Sequence, residues 1–196
     1  MGDVILNKDL NYTMRQVGGW SYANFGNQMY KTRPGAATAK VGMLLGEAAP
    51  LFGVVEEVGE LHDALRAKEQ GESNPLDIAD AIGDIGIYLC DFLYRDGATE
   101  FPEAYESERT LVSLTAMLCR TYLKHHQGIR DLADRFVYEQ QRSLTIAHMR
   151  YALDQVALWH TDSSFIACVQ ETFANVVSKR DWTEAPADGG GHTHGK

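Results

Sequence analysis

Two stretches of the chain set acidic residues at helical spacing. In GVVEEVGELHDALRAKEQG, residues 53–71, Glu57 and Glu60 stand three apart and Glu56 lies one turn before Glu60. In DIADAIGDIGIYLCDFLYRDG, residues 77–97, Asp77, Asp80, Asp84, Tyr88 and Asp91 follow in steps of three and four. Side chains at such steps share one face of an α-helix. An apolar line runs beside each acidic one: Val54, Val58, Leu61 and Leu65 in the first, Ile78, Ile82, Ile85, Leu89 and Phe92 in the second. The carboxylates therefore border the buried faces instead of lying opposite them.

Packed together, two such helices aim four or more carboxylates into one crevice. Two like charges about 4 Å apart repel by about 4 kcal/mol at an effective dielectric of about 20. Protonation, water or a cation must relieve that repulsion. Hard divalent cations take oxygen ligands, and Mg²⁺ divides itself between carboxylates, waters and substrate phosphates. The pattern thus points to a metal-supported phosphate site. E-E-x-x-E alone reads more readily as a solvated helix face. The second stripe changes the balance, because Asp is a poor helix former and this stripe reads as unpaired by basic residues one turn on. Gly59, Gly83 and Gly86 fall mid-helix, where each costs about 1 kcal/mol against Ala unless close packing offsets it. They read as concessions to the same site.

The elements that carry these stripes are helices. One is expected over about 51–69, ending at Gly71, and a second over about 76–95, ending at Gly97, with Ser73 or Asn74 as N-cap and Pro75 in the first turn. Residues 1–26 are helix-capable in part and close in GGWSYANFGNQ, read as a loop. Residues 31–50 also read as a loop with at most a short helix. Helical patterns follow over about 103–127, 131–160 and 164–179, and ADGGGHTHGK reads as a disordered tail. No hairpin-bounded alternation suggests strands. The expected fold is all-α, a helix bundle in one domain over 1–182, with 183–196 as tail. A faint echo links LRAKEQGES to YLKHHQGIRD; aligning Gly71 with Gly128 sets Leu114 and Met117 where Glu57 and Glu60 stand, and a slightly longer spacing sets Arg150 opposite Asp84. Residues 103–160 would then be a degenerate second copy, with chance similarity the alternative.

Composition limits the partners. A net charge of -9 disfavours a broad nucleic-acid or anionic-membrane footprint, which needs clustered Lys and Arg. Cys90, Cys119 and Cys168 are far apart, lie in apolar patterns and form no C-x-x-C, so they read as reduced core cysteines of a cytoplasmic protein. No signal-peptide pattern opens the chain and no apolar run reaches the ~18 residues of a membrane span.

EEVGEL followed by DAIGDIGIYLCDF resembles the all-α nucleoside triphosphate pyrophosphohydrolases of the MazG-like superfamily, relatives of the dimeric dUTPases. Their motifs are E-E-x-x-E on one helix and E-x-x-D on the next. ETFANVVSKRDW, residues 171–182, and WSYANFG, residues 20–26, resemble phage and prokaryotic members. The likeness is good over 51–95, fair over 171–182 and loose between. It implies cleavage of a (d)NTP to (d)NMP and pyrophosphate with two or three Mg²⁺ or Mn²⁺ per site, in a homodimer or homotetramer, and dGTP as the first substrate to assay. By position Glu57 and Glu60 match the first motif's metal ligands and Asp84 the last acid of the second. The Glu of E-x-x-D is Ala81 here, so Asp80, with Asp77 behind it, is the substitute. Glu56 or Glu57 would orient or deprotonate the attacking water. Lys179 and Arg180 would hold phosphate oxygens, or merely charge the end of a helix. Tyr88 would stack on base or sugar or pack in the core. Trp20, Asn24 and Phe25 would read the base from their loop, and Asp91 would bind the sugar or pair within the bundle.

Rival chemistries fit less well. His62-Asp63 resembles the HD dipeptide of other phosphohydrolases, but no His precedes it to complete that site. A ferritin-like di-iron bundle needs E-x-x-H pairs, and the chain has none. A helical interaction module, or a nucleotide binder without turnover, is the alternative from outside enzymology, and Ala81 favours the latter.

Overall fold

The computed structural model describes residues 3–25, 39–72 and 75–175. Within them lie six helices: α1 (Asp3–Phe25), α2 (Ala39–Glu69), α3 (Pro75–Arg95), α4 (Leu111–His126), α5 (Arg135–His160) and α6 (Phe165–Asn175), with a 3₁₀ turn at Arg130–Ala133 before α5. Among the described residues there is no strand, and the fold is all-α, as the periodicity predicts. No described helix is long and apolar enough to cross a membrane.

The centre of the bundle is α3. Ile78, Ile82, Ile85, Leu89 and Phe92 are all fully buried, and Ala81, Ile87, Cys90 and Leu93 are buried beside them. A helix with so wide an apolar face needs several neighbours to cover it, and α2, α6, α1 and α5 pack against this one. The mid-helix glycines explain how closely. A β-carbon on Gly83 would collide with Thr172 and lie 2.9 Å from the Cys168 carbonyl, while one on Gly86 would collide with Val169. Both glycines seat α6 and neither serves the acidic site, which corrects the reading of them as concessions to it. Around Gly59 there is open space.

Helices α2 and α3 form an antiparallel hairpin that turns at Gly71, in the left-handed region (φ 78), where the Glu72 N–H reaches the Ala67 carbonyl. Helices α4 and α5 form a second hairpin, turning at Gly128 (φ 64). Asp96, just past α3, ties this hairpin to the centre. Its carboxylate accepts from Tyr138 Oη (3.0 Å), Arg135 Nη1 (3.2 Å) and the Arg142 guanidinium. Leu114, Arg150 and, in part, Met117 are buried in the bundle.

Three expectations change. GGWSYANF is the last part of α1 and not a loop, because its residues find helix partners: Gly18 admits the Tyr94 ring, Trp20 meets Phe173 edge-on at 6.3 Å, and Ser21 bonds to α3. Helix α2 begins at Ala39, with Pro50 inside it, where a loop over 31–50 was expected. Within a helix interior proline forfeits one backbone bond and crowds the carbonyl four residues back, which is why local propensity argues against a helix through this stretch. Helix α4 begins at Leu111 and not near 103. The backbone before it is engaged elsewhere: Phe101 N–H donates to Asn11 Oδ1 (2.6 Å), Tyr105 N–H to the Ala147 carbonyl (3.1 Å), and the Pro102 carbonyl accepts from Arg150 (2.9 Å). Thr110 then caps α4 by accepting from Ser113 N–H (3.3 Å). The candidate caps Ser73 and Asn74, Lys179, Arg180 and the 183–196 tail lie outside the described residues.

Candidate functional site: an acidic cleft between α2 and α3

The seam of the first hairpin opens into a cleft of about 230 Å³ lined by Glu57, Glu60, Ala64, Asp77, Asp80, Ala81 and Asp84. Five of these seven residues are acidic and none is basic. The antiparallel register brings them together. Gly53 of α2 lies against Tyr88 of α3. Four residues on along α2 and four back along α3 stand Glu57 and Asp84; eleven on and eleven back stand Ala64 and Asp77. Both pairs line the cleft.

The side chains are not equally wet. Glu60, Asp77 and Asp80 are exposed and Asp84 is half-buried, whereas Glu57 is only 7% exposed. Burial pushes the Glu57 carboxyl up to about 8, aided by the charges of Asp84, Glu60, Glu56 and Asp80, in that order. Burial and like charge together favour the protonated form of the deepest acid in the cleft. Glu56 is exposed, at the edge of the group.

This donor set suits a hard divalent cation: carboxylate oxygens from two rigid helices, an excess of negative charge, and an opening that admits water and phosphate. Glu57, Glu60, Asp80 and Asp84 are the residues that could hold one, and Asp77 lines the same cleft. Among the described residues no group of three or more His, Cys, Asp or Glu side chains is arranged to hold a metal ion. Ala81, where the second motif has its Glu, is buried in the cleft wall beside exposed Asp80.

The remaining sequence candidates are elsewhere. Tyr88 is half-buried and packed on Gly53. Asp91, one turn further, is buried and accepts from Ser21 Oγ (2.9 Å) and from Arg95 Nε (2.8 Å), while Arg95 Nη2 also donates to Ser21 Oγ (2.7 Å). The stripe is thus paired at this end, through the i+4 arginine that the reading of an unpaired stripe missed. Its spacing was the available signal. Burial raises the Asp91 carboxyl, against the lowering effect of Arg95 and Ser21. Trp20 is half-buried against Phe173, and Asn24 donates to the Trp20 carbonyl (2.9 Å) on the exposed side of α1. None of these four lines the cleft. Cys90 and Cys168 are buried and Cys119 is half-buried; all three are free thiols.

In comparisons with protein-family models, curated proteins and solved structures, nothing matches the chain.

Proposed function

We propose that the chain is a divalent-cation-dependent nucleoside triphosphate pyrophosphohydrolase, cleaving a (d)NTP between its α- and β-phosphates to the monophosphate and pyrophosphate. The observation that carries this reading is the α2–α3 cleft, where Glu57 is buried among Glu60, Asp80 and Asp84 with no basic residue in the lining. Bound there, Mg²⁺ or Mn²⁺ supplies neutralisation of triphosphate charge and a more acidic water. Glu57 would have to give up its proton to serve as a ligand, which would couple occupancy to pH. Glu56, exposed beside the cleft residue Glu57, or Glu57 itself would orient the attacking water or take its proton. Asp80 stands in for the motif Glu that Ala81 lacks. Lys179 and Arg180 are assigned to phosphate oxygens by the resemblance of SKRDW alone. The same reading takes a small nucleotide, and no nucleic-acid polymer or membrane, as partner. It also assumes a homodimer or homotetramer in the cytoplasm, or host cytoplasm if phage-encoded.

The test is incubation with each common (d)NTP, dGTP first, in Mg²⁺ or Mn²⁺, with pyrophosphate as the readout. Pyrophosphate release is expected, with loss in Glu60→Ala and Asp84→Ala. Release that survives both substitutions rejects the site; no release from any nucleotide rejects the activity.

A further inference from the structure

We infer that Tyr88, seated on the bare α-carbon of Gly53, is a positioning residue that sets the spacing at which Glu57 and Asp84 face each other across the α2–α3 seam. The inference deepens the reading of the cleft as a cation site and rests on it for its functional consequence. A β-carbon built on Gly53 would lie 2.5 Å from Tyr88 Cδ1, 2.5 Å from Cε1 and 2.6 Å from Cζ. Three ring atoms crowd one point, closer than any real β-carbon contact. The ring therefore occupies the volume that any other residue at position 53 would fill.

The contact is one helical turn from the carboxylates along both helices of the hairpin. Four residues of α-helix span about 6 Å, so the ring lies about that far from the Glu57–Asp84 pair. Both helices are stiff over such a distance, and a change of separation at Gly53 reaches the cleft nearly undiminished. Oxygen ligands must sit 2.0–2.6 Å from a Mg²⁺ or Ca²⁺-sized ion, so a displacement of even half an ångström is felt by a cation. Tyr88 also continues the acidic stripe of α3 and yet does not line the cleft. Its role there is steric, and Tyr88 needs no contact with substrate to exert it.

Two measurements test this, one of which needs no metal. In the first, Mn²⁺ affinity is measured by calorimetry for the unaltered chain, Gly53→Ala, Gly53→Ala/Tyr88→Ala, Tyr88→Ala and Tyr88→Phe, with metal-free melting temperatures alongside. Gly53→Ala is expected to weaken Mn²⁺ at least tenfold without a matching loss of melting temperature. The double variant should return to within threefold, and Tyr88→Phe should behave as the unaltered chain. In the second, Glu57→Cys and Asp84→Cys are combined in a Cys119→Ser background, and the rate of disulfide closure is followed. Closure should slow at least tenfold on adding Gly53→Ala and recover on adding Tyr88→Ala as well. Unchanged affinity and unchanged closure in Gly53→Ala overturn the inference. If Gly53→Ala does not fold, Tyr88→Ala decides: it must alter closure at least fivefold where Tyr88→Phe does not, and equal rates overturn the inference. A chain that binds no Mn²⁺ but shows the closure effect rejects the cation reading and leaves the spacing role standing.

Discussion

Asp84 on α3 is the strongest of the four charges that, after burial itself, hold the Glu57 carboxyl of α2 above its ordinary range. The two residues belong to different helices and are 27 positions apart, yet the register fixed at Gly53 and Tyr88 sets them face to face. Burial among these charges makes the stability of the folded chain depend on pH.

The pH response has a definite sign. The Glu57 carboxyl is raised in the folded chain, from 4.5 to about 8. Between those values the folded state holds more proton than the unfolded state, so stability falls as pH rises through the window. The slope from this one group reaches about 1.4 kcal/mol per pH unit at its steepest. In chelator, melting temperature should decline from pH 5 to pH 8.5, and Glu57→Gln should flatten that decline. Identical profiles for the two proteins would place Glu57 in contact with water and not in the cleft.

Removing a cleft charge should separate stability from binding. Asp84→Asn takes away the largest neighbouring charge on Glu57 and is expected to raise the melting temperature in chelator above pH 8, where Glu57 would carry its charge, while millimolar Mn²⁺ no longer raises it. A cation site in the unaltered chain, filled at a hundredfold its Kd, would add about 2.7 kcal/mol. Thermal scans with and without Mn²⁺ read both effects at once. A variant still protected by Mn²⁺ would place the cation elsewhere.

The two acidic helices were legible in the sequence because the hydrophobic spacing and the carboxylate spacing agree. Val54, Val58 and Leu61, like Ile78, Ile82 and Ile85, are buried as their intervals predict, and the left-handed glycines at 71 and 97 end the helices where expected. What periodicity does not carry is long-range. Ser21 bonds to Asp91 across 70 positions, and Arg142 to Asp96 across 46. A Gly-Gly-Trp tract is a loop by local propensity, and it is the packing of Tyr94 on Gly18 and Phe173 on Trp20 that keeps it helical. Helix α4 starts late because Phe101, Pro102 and Tyr105 satisfy their backbone groups on Asn11, Arg150 and Ala147, which no local pattern announces. Gly83 and Gly86 looked like features of the acidic site because they sit inside its helix; only the position of α6 shows which side of the helix they serve.

The substitute ligand can be tested by trading neighbours. Asp80 is exposed and Ala81 buried, and both line the cleft. Asp80→Ala is expected to weaken Mn²⁺ at least tenfold. Adding Ala81→Glu to it should recover part of that loss, because the restored E-x-x-D spacing of 81 and 84 again stacks two carboxylates on one face. Calorimetric titration of the single and double variants decides. Full affinity in Asp80→Ala would leave Asp77 as the fourth donor.

Asp96 makes a separate prediction about the fold. Its side chain is 8% exposed and that of Arg142 is 6% exposed, with Tyr138 and Arg135 donating to the same carboxylate. Asp96→Ala strands the Arg142 guanidinium without its counter-charge, a change that typically costs 3–5 kcal/mol. Burial and the adjacent Asp96 charge raise the Tyr138 hydroxyl, so the hydroxyl stays protonated and donates throughout the physiological range. Urea denaturation should show a loss of about 3 kcal/mol or more in Asp96→Ala, with Mn²⁺ affinity at 10 °C unchanged. A loss below about 1 kcal/mol would mean that the second hairpin is held by its apolar contacts alone.

The helical glycines distinguish packing from vacancy, and one pair of substitutions of the same kind should have opposite signs. At Gly59 nothing stands within 4 Å of an added β-carbon, and at Gly83 the Thr172 side chain and the Cys168 carbonyl fill the space. Gly59→Ala should therefore gain about 0.5–1 kcal/mol from reduced chain entropy. Gly83→Ala must push α6 off α3, an overpacking that costs about 1–3 kcal/mol, because the backbone carbonyl of Cys168 cannot swing aside as a side chain can. Denaturation midpoints of the two variants measure the difference directly. Equal and favourable shifts at both positions would show that α6 does not seat on α3 through Gly83, and the same displacement would unsettle the burial of Ile82 and Ile85 on which the register of the acidic hairpin depends.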